Sequence, residues 1–151
     1  MLSVLLCFIL SVVSQNIIHL DVARALLRDG DCKGASDAAL TVADVAFEAD
    51  DEVGHVNALR LAEKAMRQCG FHKRRASIFE ELIALDPNAV AHRVSYIHVL
   101  RKINRTQEAA EAVKVAVRRH PGDPTVLQAQ HCMQIDLAGE HNVLCEEWKN
   151  R

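Results

Sequence analysis

The stretch EELIALDPNAVAHR, Glu80 to Arg93, carries the break on which the fold turns. Leu82, Ile83 and Leu85 close an apolar-patterned helix, and Pro87, which has no amide proton and clashes with the preceding turn, stops it. Ala89 to Arg93 then reopens helical patterning. A second break of the same kind, RRHPGDPTV, places Pro121 at i+34 from Pro87. At that period a helix–turn–helix unit can stack on its next copy, each burying the apolar face that the other leaves open.

Working outward, Gly70 and Asn104 stand in the same i, i+34 relation and fall at the turn between the two helices of successive units. They are the two residue types that best tolerate a left-handed backbone. Gly30 holds the same place in an earlier unit, at i−40 from Gly70, and the six additional positions, around EADDEVG, are absorbed by an acidic loop or a longer helix end. The reading is all-α. It predicts helix pairs at Ile17–Arg28 with Ala35–Ala49, Gly54–Gln68 with Lys73–Leu85, Ala89–Ile103 with Thr106–Arg119, then Thr125–Ala138 and a short helix at Val143–Trp148. Asp86-Pro87 and Asp123-Pro124 are suited to cap or open the helix that follows, and Arg118 and Arg119 suit the negative end of theirs.

On these residues the chain resembles the tetratricopeptide family. Ala109, Val113 and Ala116 match its small, bulky and small second-helix positions, and Tyr96 and Leu100 fall near its first-helix core positions. One unit earlier Phe79 is the bulky residue, but Arg75 stands where a small residue is usual, with Ala76 one step later, which implies a locally shifted helix. The resemblance implies a helix–turn–helix solenoid of about three to three and a half repeats. Its units lie near 16–49, 56–89 and 90–123, with a partial repeat and cap over 124–151, all within a 15–151 domain. A weaker resemblance, at the level of the repeats alone, is to DnaJ-type co-chaperones of the endoplasmic reticulum lumen.

Composition agrees with helices: half of the 151 residues are hydrophobic but only 4% are aromatic, and β-rich domains lean on aromatics. Eighteen basic against twenty acidic residues give a net charge of -2, so no global field draws the chain to nucleic acid or to anionic lipid. The first residues differ in kind. Leu2 to Val13 is an apolar run, too short for a hydrocarbon core of about 30 Å, and it reads as a secretory signal over 1–14 with cleavage before Gln15. Left uncleaved, it would associate the protein with a membrane.

No phosphate-binding glycine loop, HExxH, GxSxG or paired CxxC occurs, so the reading is non-catalytic, with no cofactor and no metal. Asp29 to Gly34, DGDCKG, lacks the twelfth-position acid of a calcium loop and reads as a turn. No His residue is placed with enough carboxylates or thiols to build a tetrahedral metal site within one helix. Four cysteines outside the signal, Cys32, Cys69, Cys132 and Cys145, allow three pairings. The sterically simplest joins Cys32 to Cys69 and Cys132 to Cys145; four reduced thiols in the core are the alternative. Asn104-Arg105-Thr106 is a glycosylation sequon at an inter-helix turn.

A charge stripe is the candidate site. First-helix positions spaced by three and four read Arg24 and Arg28, then Arg60, Lys64 and Arg67, then His98, Arg101 and Lys102. The solenoid that the resemblance implies would merge these into a basic concave groove suited to an extended acidic peptide. The carboxylate clamp by which some family members hold cytosolic chaperones is replaced here by Leu20, Arg24, Leu61, Ala91 and Ser95. The expected function is a lumenal or secreted adaptor or co-chaperone with a protein or peptide partner. The alternative is an accessory segment of a lumenal enzyme, or a structural subunit of a larger membrane-associated complex.

Overall fold

The structure is a computed structural model that describes residues 19–149. The signal or anchor expected over 1–14 lies outside the described residues. Those described are helical, with no strand among them: α1 (19–28), α2 (Cys32–Glu48), α3 (Glu52–Gln68), α4 (His72–Leu85), α5 (Val90–Lys102), α6 (Thr106–Arg119), α7 (Pro124–Ala138) and α8 (Val143–Lys149). The chain forms two compact units that meet in sequence at Phe71 and His72. This boundary falls inside 56–89, which the sequence register groups as one repeat.

In the first unit α2 and α3, 17 residues each, pack along one another as an antiparallel hairpin, each about 25 Å long at 1.5 Å per residue. Ala35, Ala39, Val42, Ala43 and Ala46 of α2 meet Ala58, Leu59, Ala62, Ala65 and Met66 of α3 in a core made mostly of alanine. Spacing by three and four puts each set on one face, and small side chains let the two backbones approach. The six additional positions are taken up by longer helix ends: the connection is a tight turn through Asp50 at φ 56°. Both helices start alike, Asp31 Oδ1 accepting from the Gly34 amide at 2.8 Å and Asp51 Oδ1 from the Gly54 amide at 2.9 Å. A Cβ at either glycine would overlap the capping carboxylate. DGDCKG is therefore an N-cap turn whose Asp31 carboxylate is committed to the backbone.

At the open end of the hairpin, Cys32 and Cys69 form a disulfide with Cα atoms 5.9 Å apart. Inside it, His55 is a core histidine whose Nδ1 meets the Ala43 carbonyl at 2.8 Å.

In the second unit α5 is central, packing against α4, α6, α7 and α8. Helices α4 and α6 run over His72–Leu85 and Thr106–Arg119, their starts and their ends both in the i, i+34 relation of the prolines. Arg75 is buried together with Ala76, so α4 is not shifted. The guanidinium instead lies 5.8 Å from the Phe79 ring centre and donates from Nη1 to His72 Nδ1 at 3.2 Å. The opening stretch closes on itself: buried Arg93 donates from Nε and Nη2 to the Pro87 carbonyl at 2.9 and 2.7 Å. Asp123 caps α7 through the Thr125 and Val126 amides, with Pro124 at the first helical position, whereas α5 and α6 start without a side-chain cap.

A second disulfide joins Cys132 of α7 to Cys145 of α8 across 13 residues, against 37 for the first. Restricting the unfolded chain through loops of these lengths gives about 4 kcal/mol for Cys32–Cys69 and about 3 kcal/mol for Cys132–Cys145. Urea unfolding of Cys32→Ser/Cys69→Ser and Cys132→Ser/Cys145→Ser should return losses in that order; equal stability with and without reductant would show the bonds do not form.

Candidate peptide-binding faces

Helix α3 buries the stripe running from His55 to Met66 against α2, and this leaves Arg60, Lys64 and Arg67 on the opposite side, all exposed. The spacing of four and three that packs one face of a helix also gathers these cations on the other. None of the three takes part in an ion pair among the described residues. Arg67 also sits in the last turn of α3, where positive charge offsets the helix dipole. On α1, Arg24 and Arg28 are exposed, Arg24 reaching Asp21 at 2.7 Å.

In the second unit the stripe divides. Lys102 is half-buried and close enough to His72 to help lower its pKa, after burial and ahead of Arg75. The expectation of an exposed Arg101 is corrected: it is 2% exposed. Its Nε and Nη2 bind both carboxylate oxygens of Asp136 on α7, at 2.6 and 2.9 Å. That partner, at i+35 on another helix, is beyond what spacing along one helix can reveal. His98 is half-buried, its ring centre 3.5 Å from that of Trp148 on α8. Trp148 also covers Arg101, whose Cζ lies 5.1 Å from the indole centre, within the range of cation–π attraction.

Asn104 is exposed at φ 60°, presenting the sequon at the α5–α6 turn. Tyr96 of α5 donates to Glu80 Oε1 of α4 at 2.6 Å. Burial first, and the bond to ionised Glu80 second, push the phenol up to about 12. An open, mainly apolar groove of 330 Å³ lies between α6 and α7, its lining including Val113, Val117, Met133 and Leu137 together with Lys114 and Arg118.

Among the described residues no group of three or more His, Cys, Asp or Glu is placed to hold a metal ion, and no helix is long and apolar enough to cross a membrane. No family model matches the chain, and no curated protein is significantly similar to it.

Two measurements test the polar contacts. Asp136→Ala strands the buried Arg101 charge and should cost about 3–5 kcal/mol, whereas Arg101→Leu/Asp136→Leu, which removes both charges, should cost clearly less. Equal losses would mean that the pair is not buried in solution. Tyr96 is the sole tyrosine, so phenolate absorbance reads it directly and should show a midpoint near 12, moving down in Glu80→Gln. Because the folded value lies above the unfolded one, the tyrosine's stabilising contribution is complete below pH 10 and is lost as pH rises towards 12. A wild-type midpoint at 10 would contradict the contact.

Proposed function

We propose that this chain is a non-catalytic protein-interaction scaffold of tetratricopeptide-like helix pairs that binds an extended acidic peptide, acting as an adaptor or co-chaperone in the endoplasmic reticulum lumen or outside the cell. The i, i+34 relation between α4 and α6, and between the turn residues Gly70 and Asn104, supports the repeat reading. The observation that carries the binding reading is the exposed triad Arg60, Lys64 and Arg67, set opposite the packed face of α3. Three cations within about two turns offer successive charge-assisted hydrogen bonds to carboxylates of an extended chain. Of the other members of the expected stripe, Arg24 and Arg28 on α1 are exposed, Arg24 paired with Asp21, and His98 and Lys102 on α5 are half-buried.

The lumenal placement is supported by two disulfides, a chemistry of oxidising compartments, and by an exposed sequon. A fixed subunit of a larger assembly is the second reading. Phe47 and Val53, 70% and 72% exposed on either side of the α2–α3 turn, are the apolar side chains that such a contact would cover.

The test uses protein made in a eukaryotic secretory host, where both disulfides and an Asn104 glycan removable by glycosidase are expected. An unglycosylated, fully reduced product would contradict the lumenal placement. With that protein, Arg60→Glu/Lys64→Glu should weaken binding of an oligoglutamate peptide by at least about tenfold, in a salt-dependent manner, at unchanged helicity. Undiminished affinity would remove α3 as the binding face.

A further inference from the structure

The face of α5 that was expected to receive an acidic peptide is already occupied, and by a segment of that chemistry. Helix α8 reads VLCEEWK, with Glu146 and Glu147 directly before Trp148, and it packs on α5. Trp148 is buried, with its indole over both His98 and Arg101. The Cys132–Cys145 disulfide ties the helix to α7 just under one turn before that tryptophan, so the ring is presented to α5 at a high effective concentration. The fit is incomplete in one respect. Arg101 Nη1 is buried and has no hydrogen-bond partner among the described residues: Asp136 takes Nε and Nη2, and what α8 sets against the guanidinium is the indole, 5.1 Å from Cζ.

Resting on the proposed peptide-binding function, we infer that α8 is an intramolecular occupant of the α5 face, and that the partner this face takes is a short acidic segment carrying an aromatic residue. Such a segment places its ring on His98 and Arg101 as Trp148 does. It also sets a carboxylate against Arg101 Nη1, which Trp148 leaves unmatched. The aromatic contact supplies buried area, and the added carboxylate distinguishes a partner from the resident helix. The α5 face is therefore closed in the resting protein, and α3 remains the open one.

The experiment removes the resident ring and keeps the fold. Trp148→Ala in the full chain, with both disulfides intact, is compared with wild type for binding of a fluorescein-labelled peptide VLSEEWK, the α8 sequence with Cys145→Ser. Anisotropy should show the variant binding at least about tenfold more tightly than wild type. VLSQQWK and VLSEEAK should each lose most of that gain. Equal affinity of both proteins for VLSEEWK overturns the inference. Oligoglutamate without an aromatic separates this outcome from failure of the parent reading: it should bind both proteins alike through α3, and would still do so if only the α8 assignment is wrong. Should Trp148→Ala lose helicity, Cys132→Ser/Cys145→Ser takes its place. A red shift of Trp148, the sole tryptophan of the chain, is then expected on adding VLSEEFK, which carries an aromatic but no tryptophan, and an unmoved spectrum overturns the inference.

Discussion

Packing within each unit depends on helices that stop after a set number of turns. A left-handed residue accomplishes this at the ends of α1, α2, α3, α5 and α7, where Gly30, Asp50, Gly70, Asn104 and Gly139 take φ between 56° and 85°. At each, the next amide reaches back over a full turn, as in Asp31 to Leu26, Asp51 to Ala46, Phe71 to Met66, Arg105 to Leu100 and Glu140 to Ile135, at 2.8–3.1 Å. Carbonyls that a helix end leaves without partners are satisfied, and within each unit the chain leaves at an angle that lets the next helix fold back. Because the closures are local, the alanine-lined faces need only supply shape. A core of alanine, with few large side chains, is sufficient when the turns have already set the register.

Polar groups buried between the helices then lock individual seats. Arg93 holds the Pro87 carbonyl, so the proline that ends α4 also anchors the start of α5. Arg101 joins α5 to α7 through Asp136 and at the same time receives Trp148 from α8. One arginine thus serves as structural crosslink and as part of a face for an aromatic. Its burial converts a residue of the basic stripe from a free ligand group into a fixed one, and the division of the stripe into an open α3 face and a closed α5 face follows from that change.

Local features were legible in the sequence. Pro87 and Pro121, Gly70 and Asn104, and the apolar spacing located the helices closely, because caps and turns are decided by neighbours in the chain. The all-helical class followed from the same signals. Gly34 and Gly54 could have been read too: Asp-x-x-Gly recurs at 31–34 and 51–54, and marks two helix starts alike. Side-chain partners were not legible. Arg75 and Arg93 are buried against near neighbours in the chain, His72 at i−3 and the Pro87 carbonyl at i−6, whereas Arg101 is buried through Asp136 at i+35, a partner that only the folded chain brings near. The seat of Trp148 on α5 was hidden for the same reason, since the short helix α8 carries too little pattern to indicate what it packs against.

The central claim is that an acidic peptide is received by the cations of α3 while α5 is held closed. The direct measurement is a backbone amide NMR titration of the oxidised full chain with oligoglutamate at low and at physiological salt. The account predicts saturable shifts clustered around Arg60, Lys64 and Arg67, weaker at higher salt, with the amides of His98, Arg101 and Trp148 unmoved. Shifts centred on α5 and α8, or none at any salt concentration, would contradict it.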